Sequence, residues 1–513
     1  MKKNHIKFLS RVLLLATVLV SSGCEKFLEE EDPTNLTEGT YFVLPEHAEA
    51  GIAAAYAQTR FIGNGAGIFV QNYSLIEMLS GTAKTETGQN SDLNNIIGLS
   101  YNGDNLLIRQ WWNGLYSVIA QTNLVLARVP DISPMDETHK NQILGQARFL
   151  RAWAYFYLVR MWGDVPLILS PVNASSPDLL PSRTPAADVY DQIVEDLTTA
   201  ENSSLPWTDQ TGRASLGAVK SLLAKVYLTM AGHPLNRGAS HYQLAADKAN
   251  EVITSNNFSL FASYNDLHSL STENRGEHIF QIQYLGGVAD NPMQTSMLPN
   301  FKGVSSYGTE VGSNVPVPDF VDSYEAGDKR TIDRQGFYYT SYYNEGNGAL
   351  KDLGAPYIFK HFDVIANGTA GVAGTNVSSL NYPLIRYADV LLMFAEAKNE
   401  VAAAPDAAAW NALKAIRDRA GLNTPAVGTY TKDSFRDAVL KERWHELAYE
   451  GITWFDMLRL RRAFNYISGN FEPLVGHEFA DNGEIYEEKN LLLPLPTAEM
   501  QNNPNLRPNN PGY

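Results

Sequence analysis

The stretch His445-Glu446-Leu447-Ala448-Tyr449 opens like a zinc-protease helix, where two histidines four residues apart flank a glutamate base. Tyr449 stands where the second histidine would have to be, so that chemistry fails. Glycines 63, 65 and 67 miss the dinucleotide-loop spacing by one position and follow no clear strand. The 10 histidines show no metal-ligand spacing, and a single cysteine, Cys24, permits neither a thiolate metal site nor an internal disulfide. No P-loop, nucleophile elbow or EF-hand loop is present. Among 56 acidic residues some pair of carboxylates could flank a glycosidic bond by chance, but no motif supports one. Neither an enzyme nor a bound cofactor or metal is expected.

The remaining chemistry is aromatic. The chain holds 26 tyrosines, 21 phenylalanines and 8 tryptophans. A ring offers a flat apolar face for the C–H side of a sugar, whose hydroxyls want Asn, Asp, Glu, Arg or backbone partners. That mixture gathers in two stretches without helical period. The first contains Asn72, Tyr73, Glu77, Lys84 and Tyr101, with Trp111 and Trp112 at its exit. One of those two tryptophans belongs in the core and the other toward a ligand. The second contains Tyr284, Tyr307, Tyr343 and Asn344 and the conspicuous run from Phe337 through Tyr338, Tyr339 and Tyr342. Any single ring is more often a packing residue, and the run also reads as a strand alternating between core and solvent. As a surface, the two stretches read as a binding face. The candidate ligand residues are Asn72, Tyr73, Tyr101, Trp112, Tyr284, Tyr307, Tyr338, Tyr339, Tyr342 and Asn344.

Helices must position that face. From Gln146 to Pro166, the residues Leu150, Trp153, Ala154, Tyr157, Leu158 and Met161 recur at helical spacing, with Arg148, Arg151 and Arg160 off the stripe. Gly163 and Pro166 stop this long buried helix. Further helices are expected over 46–58, 106–129, 186–200, 214–230, 241–255, 387–401, 407–420, 433–450 and 453–464. His278 to Leu285 reads as a short strand, and residues 491–513 as extended or turn-like. The whole is mainly α: TPR-like helix-turn-helix pairs form a scaffold (41–60, 105–257, 380–470). A loop-rich binding half with short strands comes from insertions at 61–104 and 258–379, followed by a tail, 471–513.

The N-terminus carries an address. Lys2, Lys3, Lys7 and Arg11 precede a short apolar run, and Ser21, Ser22 and Gly23 lead into Cys24. This is a signal peptide over 1–23, with Cys24 placed for acylation. The acidic flank after it, within 24–40, suits a surface tether. Cleavage removes four positive charges from a net −16, leaving −20. Such a chain repels phosphates and is not expected to bind nucleic acid.

Six segments taken in order resemble the SusD/RagB family of outer-membrane nutrient-binding lipoproteins. They are QARFLRAWAYFYLVRMWGDVPLI from Gln146, YPLIRYADVLLMFAEAKNE from Tyr382, Ala415 to Gly421, Glu442 to Gly451, Trp454 to Arg459, and the Leu493 to Tyr513 end; the lipoprotein start joins them. The resemblance covers nearly the whole chain and implies a cell-surface, outer-membrane lipoprotein. It implies partners too: an oligosaccharide ligand, and a SusC-like TonB-dependent transporter to which the ligand passes. A RagB-like peptide importer is the alternative, and a surface glycosidase the more remote one. Arg386, Arg417, Arg419, Glu442, Arg443 and Glu446 of these motifs read as inter-helix ion pairs rather than ligand contacts.

Overall fold

The computed structural model describes residues 42–65, 70–88, 90–173, 176, 179–304, 310–343, 347–364 and 378–513 (for Gln294, the backbone alone). The expected signal peptide, tether and Cys24 lie outside the described residues, as do Tyr307 and Asn344.

Helix α1 (Pro45–Thr59) is followed by two short helices, α2 (Ser74–Leu79) and α3 (Ser91–Ile97), in a stretch expected to be irregular. The long helices α4 (Leu106–Arg128), α5 (Glu137–Trp162), α6 (Ala186–Glu201), α7 (Leu216–Ala231) and α8 (Ala239–Thr254) come next, each packed on its predecessor. After the short α9 (Gln294–Met297) and α10 (Pro318–Asp322), the scaffold resumes with α11 (Tyr387–Val401), α12 (Ala407–Arg419), α13 (Lys432–Glu446) and α14 (Thr453–Leu460). Helix α11 lies against α8 and joins the two halves of the scaffold. The fold is mainly α, built of helix pairs with short strands. No helix among the described residues is long and apolar enough to cross a membrane.

Helix α5 is central. Asp136 caps it by accepting from the His139 N–H at 2.8 Å, and Gly163, at φ 72°, ends it. From Gly145 to Trp162 only Arg148 and Arg160 are not buried. Arg151, expected off the apolar stripe, is therefore inside. It forks onto Asp196 of α6 at 2.7 and 2.8 Å and donates to Asn123 of α4 at 2.9 Å. Burial of this guanidinium is tolerated because a bidentate carboxylate and an amide oxygen replace its water.

The described strands form two-stranded antiparallel pairs. β1 (Ala83–Lys84) pairs with β3 (Val315–Pro316), and β2 (His278–Ile282) with β6 (Tyr382–Arg386), which runs straight into α11. The hairpin β4 (Tyr338–Tyr343) and β5 (Leu350–Ile358) is registered Tyr338 to Ile358 and Tyr343 to Leu350. β7 (Arg462–Asn465) pairs with β8 (Asn470–Pro473). So the helix expected over 453–464 stops at Leu460, where Arg461 turns left-handed at φ 53°. The tail, expected to be extended or turn-like, contains the helix α15 (Thr497–Asn502).

The main hydrophobic core runs through the scaffold, and a second, smaller core sits under the hairpin. That second core contains Leu298, Val304, Tyr339, Tyr342, Tyr357 and Phe362 among others.

Candidate functional site

Strand β4 shows why most of the nominated rings turn inward. It lies between the two cores: Tyr338 and Tyr339 alternate between them, and a register irregularity between Tyr339 and Ser341 brings Tyr342 to the same core as Tyr339, while Thr340 stays exposed. Tyr338 enters the main core, donating to the Tyr324 hydroxyl at 3.1 Å and meeting that of Tyr449 at 3.2 Å. Tyr339 and Tyr342 enter the second core. The other nominated residues that the structure describes are also buried. Tyr73 meets Ser296 at 2.9 Å and accepts from Asn314 at 2.7 Å. Asn72 donates to the Phe61 carbonyl at 2.8 Å. Tyr101 accepts from Asn490 and stacks on Tyr513, their centroids 6.0 Å apart. The backbone N–H of Tyr284 donates to Asn381 at 2.7 Å, and its ring is buried beside Gly63. Both tryptophans are inside: Trp111 donates to the Asn72 carbonyl at 2.7 Å, and Trp112 sits edge-on to Trp162 at 5.2 Å. Trp112 still reaches a cleft of about 640 Å³ between α4 and the tail.

Of the nominated residues, Tyr342 reaches a cleft on the hairpin side. This cleft, of about 420 Å³, is walled by Tyr342 and Phe359 and edged by Arg334, Asn265, Ser269 and Asp363. Its residue types are those a polyhydroxylated ligand needs: an apolar wall with amide, hydroxyl, guanidinium and carboxylate groups around it. His268 also lines it. The His268 Nδ1 is 2.8 Å from the Phe362 carbonyl and must carry the proton, while Nε2 is buried without a partner among the described residues. Burial pushes this imidazole down to about 4, so near neutrality it is uncharged and Nε2 is an acceptor. Arg334 is held in the left-handed region at φ 56°, donates to Asp333 at 3.2 Å and lies over the Tyr343 ring.

A second feature escaped the sequence reading. Phe301 is 79 % exposed and adopts φ 50°, a conformation costly for a residue with a bulky side chain. Two carboxylates hold the loop in this shape. Glu86 accepts from the Asn300 N–H at 2.9 Å and from the Tyr357 hydroxyl at 2.7 Å, and Glu310 accepts from Gly303 at 2.6 Å and from Val304. Leu298 and Val304 on either side are buried in the second core, so the ring stands out from a fixed base. The only sequence signal was the short Asn300-Phe301-Lys302-Gly303 turn.

The arginines and glutamates of the motifs form buried networks, as their types suggested. Arg386 bonds Glu450 at 2.6 and 2.8 Å, Glu446 at 3.1 Å and also Glu277. Arg419 bridges Glu277 and Glu446, Arg417 pairs with Glu442, and Arg443 pairs with Asp389 and Asp456. Opposed by burial but outweighed by Arg419, Arg386 and Arg330, the Glu446 carboxyl is held below its ordinary range. His445 contacts the Ser323 hydroxyl at 2.9 Å and stacks on Tyr324. Burial and nearby Arg330 drive its pKa far down, so it is a neutral core group.

A scaffold of helix pairs, locked by buried arginine–carboxylate networks and carrying a hairpin over a second, smaller core, defines a helical-scaffold protein with a grafted loop-rich half. Two family descriptions match it: "SusD family" over residues 338–513 and "Starch-binding associating with outer membrane" over 26–228. The SusD-like protein P2 of Formosa agariphila is 30% identical over 547 residues, covering 100% of both chains. A SusD superfamily protein from Parabacteroides distasonis, solved as a crystal structure, is 37% identical with a TM-score of 0.86, covering 93% of this chain and 100% of that one. The surface glycan-binding protein A of Bacteroides uniformis shares the fold at 21% identity and a TM-score of 0.74, covering 91% of this chain and 99% of that one. The chain belongs to the SusD family.

Proposed function

We propose that this protein is a non-catalytic capture subunit, acylated at Cys24 and held at the outer membrane facing outward. It binds an oligosaccharide on the hairpin face and passes it to a SusC-like TonB-dependent transporter. The observation that carries the reading is the cleft of about 420 Å³, where the Tyr342 and Phe359 wall meets Arg334, Asp363, Asn265 and Ser269. Such a site can stack the apolar face of a sugar and satisfy its hydroxyls. His268 Nε2 accepts one hydroxyl, and Phe301 supplies an outlying stacking surface. The matched description "Starch-binding associating with outer membrane" supports both the ligand class and the location.

The test is isothermal titration of residues 25–513 against neutral plant, host and microbial oligosaccharides and a peptide mixture. Saccharide binding is expected, weakened about tenfold by Arg334→Ala and by Phe301→Ala. Saccharide binding indifferent to both changes moves the site off the hairpin face. Binding of peptides alone replaces the reading with the peptide importer. Reducing ends released from a bound saccharide would make the protein a glycosidase. Co-purification with the transporter tests the handover.

A further inference from the structure

A second cleft lies on the scaffold, away from the hairpin. It has a volume of about 440 Å³ and opens between the C-terminal end of α5, α7, α14 and the tail segment 508–511. Four guanidinium groups line it, from Arg160, Arg183, Arg459 and Arg461, against one carboxylate, Asp164. Arg459 is neutralised by Glu396 and Asp456. The other three have no carboxylate within ion-pair distance among the described residues.

Two of the three are held by something other than a counter-charge. Arg160 is sandwiched between Phe156 and Phe455, 3.7 Å from either centroid, and donates to the Phe156 carbonyl at 2.8 Å. Arg183 donates to the carbonyls of Asp164, Trp162 and Pro508 and to the Asn510 side chain. Arg461 sits at the left-handed stop of α14. Asp164 is occupied, accepting from the Ala186 N–H at 2.8 Å at the start of α6. Tyr190, fully buried, also lines the cleft, and its hydroxyl has no hydrogen-bond partner among the described residues.

Unpaired cations and an orphaned buried donor in one cavity leave a deficit of negative charge and of acceptor oxygens. The rest of the lining is largely apolar, including Val159, Leu458, Leu491 and Leu492. The geometry points to a binding site for a small organic oxyanion, a carboxylate or sulfate ester carried on an apolar body, in the cleft between α5, α14 and the tail. Guanidinium forks fit either head group, the Tyr190 hydroxyl donates to it, and the leucines cover the body. Desolvation adds support. Burial holds Arg160 down to about 10 and lowers Arg183 and Arg461 as well, whereas counter-ions raise Arg330, Arg386, Arg419 and Arg459. An oxyanion would relieve that cost. The site is independent of the hairpin face, and its test stands or falls apart from saccharide binding.

The probes are benzoate, phenyl sulfate and neutral benzamide, titrated into the protein by calorimetry or ligand-detected NMR. At least one anion is expected to bind about tenfold more tightly than benzamide, and the tighter anion names the head group. Among the described residues, Arg461→Gln removes a charge with no ion-pair partner, and Tyr190→Phe removes a hydroxyl with no hydrogen-bond partner. Both variants are expected to keep the parental unfolding midpoint and to lose about fivefold or more in anion affinity, with benzamide unchanged. Absence of anion binding up to about 20 mM, equal binding of benzamide, or unchanged affinity in both variants overturns the site.

Discussion

Arg386 touches three glutamates, and none of them sits next to it in the chain. Removing its guanidinium while leaving Glu277, Glu446 and Glu450 buried strands negative charge inside. Arg386→Met is expected to lower unfolding free energy by about 3–5 kcal/mol, read from urea denaturation. Glu77 behaves oppositely. Burial raises its carboxyl from 4.5 to about 7, against the opposing bond from the Gly451 N–H. Between those values the folded chain keeps a proton that the unfolded chain has released, so this group's contribution to stability falls as pH rises through that window. Glu77→Gln cannot ionise. Relative to the parent, it is expected to gain about 3 kcal/mol between about pH 4.5 and about pH 7, measured as the difference of two denaturation series. At this scale the motif arginines could be read as ion-pairing from type alone. Arg151 could not, because its place off the apolar stripe concealed a carboxylate arriving from α6.

At the scale of elements, periodicity located the long helices but not all of their ends. Helix α13 was expected to run to Glu450, since Leu447-Ala448-Tyr449 are good helical residues. It stops at Glu446 because distant groups take its carbonyls. Lys360 donates to those of Glu446 and Ala448 at 2.7 and 2.9 Å, His361 contacts that of Tyr449 at 2.7 Å, and Tyr449 swings to φ 64°. Helix α2 was missed because all six of its residues are buried, which leaves no alternation to see. The binding half was legible as a region and not residue by residue. A strand between two cores looks in sequence like a ring-lined surface, so Tyr338 and Tyr339 gave no sign of pointing inward. The stop of α5 was legible. Gly163 combines φ 72° with ψ −118°, a region costly for any residue with a side chain. Gly163→Ala is expected to cost about 1–3 kcal/mol in urea unfolding, with the helix otherwise intact by circular dichroism.

Across the whole molecule, the tail closes back onto the end of α5. Leu493 N–H donates to the Met161 carbonyl at 2.7 Å, Trp162 donates to the Pro494 carbonyl at 2.9 Å, and Asn510 donates to the carbonyls of Trp162 and Leu493. Truncation after Asn502 is expected to lower the unfolding midpoint and to speed protease cleavage near residue 163, read by limited proteolysis. The tail's Pro- and Asn-rich composition signalled turns but could not say what they cover. These contacts also impose an order in time. Trp162 waits for a partner 332 positions downstream, so while the chain is still emerging its central helix has an open end. Long-range closure of this kind is slow and comes late. The end of α5 therefore acquires its final rigidity only once residues 493–510 have arrived, and until then the chain remains easier to thread through a narrow passage than the folded molecule.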